Sequence, residues 1–292
     1  MKENKGAQGF ENFYALQFGD RWPALKAALC SPKGYLAIVN PFSGFEFGPG
    51  SETIPGLTFA HQTGHSFAPP EITPAGFLNY YLLDAASVLA IEGLDPRPGE
   101  KVIDLCAAPG GKSLLCALRL KNEGLLVSND RSATRRARIH KIFSEYLPET
   151  HQTNHKVTGH DATKWCLYEK DIYDKVLLDA PCSSERHVLM DPKELACWAP
   201  GRTKAVAVTQ FAMLASALEI VKVGGTIVYS TCALSQLEND DIIKKLLQKR
   251  AGRFEVVRAK FPIGETTEHG WRVLPDASGW GPFYLSVLKK LK

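Results

Sequence analysis

The chain has 292 residues, of which 45% are hydrophobic and 23% charged, with a formal net charge of +4. These values describe an ordinary globular protein and exclude a disordered chain. The mild basic excess is compatible with a polyanionic partner but does not indicate one. No apolar run approaches the ~20 residues that a membrane span needs. The N-terminus lacks a signal h-region and an Arg-rich amphipathic pattern, so we expect no targeting peptide, or one already removed.

Seven cysteines are scattered along the chain, and no two form a CxxC pair. The odd number and the spacing argue against a disulfide framework and against a structural zinc site. We therefore expect a reducing compartment, with most of these thiols buried and inert. The histidines also lack metal-ligand spacing, and no metal is predicted. The histidines considered are His61, His65, His151, His155 and His160.

Residues 1–73 are predicted to form an N-terminal extension. Apolar residues at helical spacing in 10–29, interrupted near Gly19, predict two helical pieces, and residues 35–39 predict a short strand. Residues 40–70 are rich in Gly, Pro, Phe and His without periodicity, which predicts a long loop. Its phenylalanines would either stack on bases or pin the loop to the core, and we favour the second interpretation. They are Phe42, Phe45, Phe47, Phe59 and Phe67.

Residues 74–292 are predicted to form the main domain. It would begin with a helix over 74–93, with Thr73 as its N-cap and Pro74 at the first helical position. Strands and helices then alternate, which indicates a doubly wound, mostly parallel α/β sheet. The predicted strands cover residues 102–105, 124–128, 156–158, 175–178, 226–230, 254–258 and 283–288. A turn is predicted at Gly224-Gly225, and the later helices cover residues 203–221 and 236–250.

The sequence KVIDLCAAPGGKS, residues 101–113, is a strand, a turn of small residues and a helix start. A phosphate-binding P-loop would need glycine at position 106, which is Cys106, and the GxGxxG dinucleotide pattern is absent. Two interpretations remain: a loop for a small nucleoside-like cofactor without a pyrophosphate, or a plain tight turn.

Acidic and thiol side chains follow several predicted strands, whose carboxyl ends should meet at one edge of the sheet. Asp130 would bind ribose hydroxyls or cap the next helix, and Asp161 would contact an adenine amino group or cap a helix. Cys182 and Cys232, on neighbouring strand ends, would be a redox pair, two buried small residues, or partners in covalent catalysis.

Three motifs in this order resemble the Nop/Sun-domain RNA cytosine-5 methyltransferases: Asp104-Leu-Cys-Ala-Ala-Pro-Gly-Gly-Lys112, Asp179-Ala-Pro-Cys-Ser183 and Ser230-Thr-Cys232. The runs Glu185-Arg186-His187 and Trp280-Gly-Pro-Phe-Tyr284 are similar to the short branch without a PUA domain, which acts on mitochondrial rRNA or tRNA. The rRNA-acting member is the more similar, and the segment 189–201 matches neither.

The resemblance implies a Rossmann-like S-adenosylmethionine-dependent methyltransferase fold. It also assigns the nucleophile to Cys232 and product release to Cys182, with Lys112 and Asp179 beside the reacting base. The cofactor residues that it implies are Cys106, Ala107, Ala108, Pro109, Gly110, Gly111, Lys112, Asp130, Arg135, Asp161 and Asp179.

The chemistry suits these residue types. A thiolate that adds to cytosine C6 makes C5 nucleophilic, and it can later leave. An acid whose pKa is raised by burial would stabilise the adduct at N3, and Asp179 is the candidate. The neighbouring Lys112 ammonium would instead lower the pKa of Asp179. By analogy with DNA cytosine methyltransferases, Cys182 of the Pro-Cys motif would attack instead. The Ser-Thr-Cys strand end favours Cys232.

The resemblance further implies an RNA substrate, a helical-repeat protein partner of the mitochondrial termination-factor type, and the mitochondrial matrix; the cytoplasm is the alternative compartment. The basic run 131–141 is either a phosphate-binding face or a solvated face. Two other functions stay open: an RNA-binding ribosome-assembly factor whose methylation is dispensable, and a methyltransferase for a protein or small molecule.

Overall fold

The computed structural model describes residues 5–48, 51–54, 57–62 and 67–292, without the side chains of residues 54, 58 and 59. Two helices open the chain, α1 (Gly6–Phe18) and α2 (Trp22–Cys30), with a 3-10 turn between them. They confirm the two predicted helical pieces. Their apolar side chains form a buried cluster with Val188, Trp198, Leu234 and Leu274, so the N-terminal helices pack directly on loops of the main sheet.

A small antiparallel sheet follows, built from β1 (Leu36–Val39), β2 (Glu52–Ile54), β3 (Leu57–Gln62) and β4 (Tyr80–Leu83) in the order β2-β3-β1-β4. The strand at 35–39 is confirmed, whereas the prediction of a loop throughout 40–70 is wrong, because β2 and β3 pair there.

The phenylalanines beside this sheet pack on other rings of the protein. The ring centroids of Phe45 and Phe47 lie 5.0 Å apart, and those of Phe47 and Tyr80 lie 5.3 Å apart. Phe67 lies against Tyr80, and Phe42 against His151. These ring contacts agree with the interpretation that the phenylalanines hold this segment against the core. The side chain of Phe59 and the whole of His65 lie outside the described part of the chain.

The predicted helix over 74–93 is wrong in its first half. Residues 80–83 form β4, paired with β1, and α3 covers Ala85–Leu94. Its N-cap is Asp84, whose Oδ1 accepts the Ala86 N–H at 2.8 Å, and not Thr73. The small sheet therefore extends across residue 73, and the division of the chain at that residue stays a prediction.

Within the described residues, the main sheet has nine strands in the order β11-β12-β13-β9-β8-β5-β6-β7, with β10 paired to β13. The pairs from β9 through β7 are parallel, and β13 joins β9 antiparallel. The predicted doubly wound, mostly parallel sheet is confirmed. Its elements are β5 (Lys101–Asp104), α4 (Gly111–Leu120), β6 (Leu125–Asn129), α5 (Ala133–Tyr146), β7 (His155–Thr158), β8 (Tyr173–Asp179), α6 (Glu185–Met190), α7 (Pro192–Ala196), α8 (Pro200–Ile220), β9 (Val221–Thr231), α9 (Asp240–Lys249), β10 (Phe254–Val257), β11 (Glu265–Thr266), β12 (Trp271–Val273), α10 (Pro275–Ser278) and β13 (Phe283–Lys290).

The structure departs from the predicted elements in two further places, near the start of β9 and just before α9. The turn predicted at Gly224-Gly225 lies within β9, at an irregularity in its pairing with β8. The helix predicted over 236–250 begins as a 3-10 turn, Gln236–Glu238, before α9. Apolar side chains cover both faces of the main sheet in two separate clusters. Among the helices of the described segments, none is both long and apolar enough to cross a bilayer.

Candidate active site

Four loops meet at the carboxyl edge of the main sheet. They follow β5, β6, β8 and β9, and they bring together residues 105–112, Asp130, residues 180–184 and Cys232. The register fixes this meeting, since Asp179 pairs with Ser230 and the Ala180 N–H donates to the Ser230 carbonyl at 2.8 Å. The structure thus confirms the predicted convergence of strand ends.

Two free thiols lie in contact at this edge. Cys182 Sγ and Cys232 Sγ are 2.9 Å apart, and Ser184 Oγ lies 3.5 Å from the first and 3.6 Å from the second. Cys232 is exposed and Cys182 is half-buried. Neither is an inert core residue, so the interpretation as two buried small residues is wrong.

The contact makes the two thiols unequal. The hydrogen bond from Cys182, followed by the one from Ser184, lowers the pKa of Cys232 despite partial desolvation. The same bond, together with burial, raises the pKa of Cys182 well above its usual range. The lower pKa favours the thiolate on Cys232, with Cys182 as the donor of the hydrogen bond between the two sulfurs.

An ion pair lies beside the thiols. Lys112 Nζ donates to Asp179 Oδ2 at 2.8 Å, and Ser230 Oγ donates to Asp179 Oδ1 at 2.7 Å. Burial disfavours the charged ammonium, but the contacts with Asp179 outweigh it and raise the pKa of Lys112. The ammonium also lies 5.6 Å from the ring centroid of Phe283. The ion pair thus fixes the Lys112 ammonium beside Asp179, the last residue of β8.

A pocket of about 430 Å³ opens beyond β5 and β6. Its polar wall includes Asp130, Arg135 and Asp161, and its apolar wall includes Leu105, Pro181 and Met213. Carboxylates suit the hydroxyl and amino groups of a nucleoside, and apolar walls suit a flat base. The residues present therefore fit a nucleoside-like cofactor such as S-adenosylmethionine, which would lie in this pocket.

Asp130 is buried and does not cap the helix that follows it. Its Oδ1 accepts the Ser132 N–H at 2.9 Å, its Oδ2 lies 3.2 Å from Arg135 Nη1, and Ser132 is the N-cap of α5. Arg135 also donates to the Ala108 carbonyl at 2.6 Å. Arg135 thereby ties the loop after β5 to the acid after β6.

Asp161 caps the 3-10 turn Ala162–Leu167, as the alternative interpretation predicted. Its Oδ1 accepts both the N–H and the hydroxyl of Thr163, and these bonds lower its pKa. Because both contacts end on Oδ1, capping does not engage Oδ2. Asp161 also lines the pocket, so the two predicted roles are compatible.

The small residues of the loop after β5 differ in what they contact. Cys106 lines the pocket, and burial raises the pKa of its thiol, which keeps it inert. Ala107 and Ala108 are buried, and Pro109 is exposed. Gly110 has a φ of +125°, and a Cβ there would lie 3.3 Å from Ile139 Cα; a Cβ on Gly111 would lie 2.6 Å from the Tyr81 ring. Close packing on protein groups accounts for both glycines.

The basic run on α5 is partly engaged within the protein. Arg135 contacts Asp130 and Ala108, and Arg136 Nη1 donates to the Asp130 and Arg131 carbonyls. Lys141 Nζ lies 3.7 Å from a carboxylate oxygen of Glu145. These contacts favour an internal role for part of the run over a continuous phosphate-binding face.

Several residues at the site escaped sequence reasoning. Thr209 and Met213 reach the pocket from the middle of α8, where no motif marks them. Ser184 adjoins the motif that ends at Ser183, and Phe283 lies within the run 280–284, and these positions are the signal that could have found them. In the described ranges, no group of three or more His, Cys, Asp or Glu side chains is arranged to hold a metal ion.

This sheet order, with a nucleoside pocket beyond its central strands, defines an S-adenosylmethionine-dependent methyltransferase. A family model described as 16S rRNA methyltransferase RsmB/F matches residues 91–289. The chain belongs to this RsmB/F family, and S-adenosylmethionine is its cofactor.

The chain is similar to curated relatives with related names. It is 33% identical to the mouse "5-cytosine rRNA methyltransferase NSUN4" over 85% of this chain and 75% of that protein. It is 32% identical to the zebrafish "tRNA (cytosine(34)-C(5))-methyltransferase, mitochondrial" over 97% of this chain and 86% of that protein. A "Ribosomal RNA small subunit methyltransferase F" from Shewanella sediminis is 32% identical over 90% of this chain and 54% of its own length.

Solved structures share the fold. The crystal structure of PH0851 has a TM-score of 0.82 and 25% identity over 98% of this chain, which spans 66% of that one. A methyltransferase homolog protein from Pyrococcus horikoshii has a TM-score of 0.79 and 23% identity, over 97% of this chain and 94% of that one.

The unequal thiols lead to a testable expectation. Replacing Cys182 with Ala removes the hydrogen bond that stabilises the Cys232 thiolate, so the pH midpoint for iodoacetamide alkylation of Cys232 should move upward. The rate at neutral pH should fall, as measured by peptide mapping. Buried Cys116 serves as the control for folding and should stay unreactive in both proteins. A midpoint that is unchanged or lower in Cys182→Ala contradicts the assignment of the thiolate to Cys232.

Proposed function

We propose that this chain methylates C5 of a cytosine in RNA, with Cys232 as the nucleophile. The observation that carries the proposal is the contact of Cys182 with Cys232, which lowers the pKa of the exposed thiol. An accessible thiolate beside a cofactor pocket suits a reaction that needs addition to C6 before C5 can react. The names of the mouse and zebrafish relatives support the same reaction.

In the first half of the proposed reaction, the Cys232 thiolate adds to C6 of a cytosine that has left its stack. The electron pair of the C5–C6 bond then becomes available at C5. One proton, taken from solvent and shared between Asp179 and N3, offsets the negative charge that the addition places on the ring, and it returns to solvent when the thiolate leaves. Lys112 and Ser230 fix the Asp179 carboxylate for this task. The bound cofactor supplies a methyl group on a sulfonium, which C5 accepts.

In the second half, the C5 proton must leave and the C6–sulfur bond must break. Cys182 holds its own proton while a charged Cys232 sulfur lies 2.9 Å away. Once that sulfur is bonded to carbon, its charge is gone, and Cys182 becomes able to ionise. We therefore assign Cys182 to removal of the C5 proton, directly or through water. The electron pair of the C6–S bond returns to Cys232, which restores the thiolate.

For the substrate, we propose ribosomal RNA of the mitochondrial small subunit, with tRNA as the alternative. Support comes from the short-branch motifs and from relatives named as rRNA and mitochondrial tRNA methyltransferases. The mitochondrial matrix and a helical-repeat protein partner follow from the same branch, and both are part of the proposal.

For the cofactor, we propose that Asp130 and Asp161 bind the nucleoside part in the pocket beyond β5 and β6. Arg135 and the loop from Cys106 to Lys112 would shape that pocket around it. The support is the burial of Asp130 in the pocket wall and its pairing with Arg135.

The two cysteine roles predict different outcomes of covalent trapping. Labelled rRNA and tRNA pools are incubated with S-adenosylmethionine and the wild type, Cys182→Ala or Cys232→Ala, and separated on a denaturing gel. We expect a protein–RNA adduct to accumulate with Cys182→Ala, because addition proceeds and release does not. The trapped RNA then identifies the substrate.

Two other gel patterns would change the assignment of the cysteine roles or contradict the proposed function. An adduct with Cys232→Ala and not with Cys182→Ala reverses the two roles. No adduct with either variant, although both bind S-adenosylmethionine, contradicts the proposal. That result would favour an assembly factor or a methyltransferase for another substrate.

The role of Asp130 predicts a loss of cofactor affinity. Removing a carboxylate that accepts hydrogen bonds from two hydroxyls should raise the Kd for S-adenosylmethionine about 10- to 100-fold in Asp130→Ala. Calorimetric titration measures this, with Asp20→Ala as a control on an exposed aspartate. An unchanged Kd in a folded Asp130→Ala protein removes Asp130 from the cofactor site.

A further inference from the structure

Two buried glutamates lie directly behind the thiol pair and have no role in the proposed chemistry. Glu185 begins α6, three residues after Cys182. Glu238 ends the 3-10 turn that follows Cys232. Both side chains are fully buried, with 0% exposure. Carboxylates are seldom buried without paired cations, so this crossed carboxylate pair, Glu185 and Glu238, needs a physical account.

Each carboxylate belongs to one thiol loop and binds the backbone of the other. Glu238 Oε2 accepts the N–H of Ser183, the residue after Cys182, at 3.0 Å. Glu185 Oε2 accepts the N–H of Leu234, two residues after Cys232, at 2.9 Å. The two hydrogen bonds run in opposite directions between the same two loops. Together they join the loops at two points, immediately behind the sulfurs.

The surroundings fix each carboxylate in place. Glu185 Oε1 accepts the hydroxyls of Tyr14, at 2.5 Å, and Ser183. With Leu234 N–H, all three partners of Glu185 are donors. The acceptor capacity of an ionised carboxylate matches this set, whereas an apolar side chain of similar size, such as leucine, would leave the Leu234 N–H without its acceptor.

Glu238 is held differently. Its Oε2 also accepts from Gln210 Nε2 at 2.9 Å, and Gln210 donates in turn to the Pro181 carbonyl. Within the described part of the chain, Glu238 Oε1 is buried and has no hydrogen-bond partner. Burial and the nearby Glu185 raise the pKa of Glu238 to about 7. Glu238 thus needs only one acceptor oxygen.

Burying these two carboxylates costs stability, and one oxygen of Glu238 has no partner among the described residues to offset that cost. Their hydrogen bonds, however, hold two backbone N–H groups at fixed positions. We propose that Glu185 and Glu238 are positioning residues that set the distance between the Cys182 and Cys232 sulfurs. The catalytic consequence rests on the proposed function, whereas the spacing of the sulfurs can be tested without RNA.

The test measures how readily the two sulfurs meet. In a glutathione buffer, Cys182 and Cys232 of the full chain reduce one glutathione disulfide. One protein S–S bond forms, and two glutathione thiols are released. The equilibrium constant, read by peptide mapping of the Cys182–Cys232 disulfide, reports the effective concentration of one thiol at the other.

The variants separate positioning from general stability. We expect Glu185→Leu and Glu238→Ala to lower this constant about tenfold or more, since each removes the acceptor of one backbone N–H and frees one loop. Glu238→Gln should stay within about twofold of the wild type, because its amide oxygen still accepts from Ser183 while its N–H₂ takes the unpartnered side. Glu169→Gln is the control, since Glu169 accepts two side-chain hydrogen bonds from Trp165 and Tyr173. It should leave the constant unchanged.

Two results would overturn the proposal. One is a folded Glu185→Leu protein with the wild-type constant, even if its unfolding midpoint is lower, which is the outcome that a purely structural role predicts. The other is an equal loss in Glu238→Gln. If Glu238→Ala does not fold, the contrast between Glu185→Leu and Glu238→Gln still decides. Failure of RNA trapping with the expected thiol constants leaves the positioning role standing and removes the proposed function.

Discussion

The proposed chemistry of this protein depends on one contact, between two sulfurs at the ends of neighbouring parallel strands. It exists because β8 and β9 are paired in a register that puts Asp179 opposite Ser230, and because each strand is followed within three residues by a cysteine. The contact lowers the pKa of the more exposed thiol, Cys232, and this supports its proposed role as the nucleophile. Buried hydrogen bonds from the Ser183 and Leu234 N–H groups to Glu238 and Glu185 hold the two loops behind this contact.

The pocket and the two thiols lie side by side at the carboxyl edge of the main sheet. The loops after β5 and β6 form much of the pocket wall, and the loops after β8 and β9 carry the thiols. Pro181 belongs to both, since it lines the pocket and precedes Cys182. The Lys112–Asp179 ion pair joins the start of α4 to the end of β8. The N-terminal helices complete this arrangement from the outside: Tyr14 donates to Glu185, and Gln17 donates to the Leu234 carbonyl at 2.7 Å. The extension is therefore part of the scaffold of the site.

The sequence predicted the main sheet and the convergence of strand ends because continuous apolar runs and alternating elements are local signals. It failed at residues 74–83, where the apolar run of β4 continues into α3 and its partner β1 lies some forty residues earlier. It also could not place Met213, Phe283 or Glu238 at the site, since their roles depend on long-range contacts. The motif residues Lys112, Asp179, Cys182 and Cys232 do lie together, while the packing of Gly110 and Gly111 on Ile139 and Tyr81 needed the structure.

The most direct test of the central claim is to locate the covalent bond in the unmodified protein. RNA that carries 5-fluorocytidine at the target position blocks loss of the C5 substituent, so the wild-type adduct should persist without any change at Cys182. Proteolysis and mass spectrometry then identify the peptide that carries the nucleotide. We expect attachment at Cys232, which becomes irreversible only when S-adenosylmethionine is present. Attachment at Cys182 would show that Cys232 is not the nucleophile.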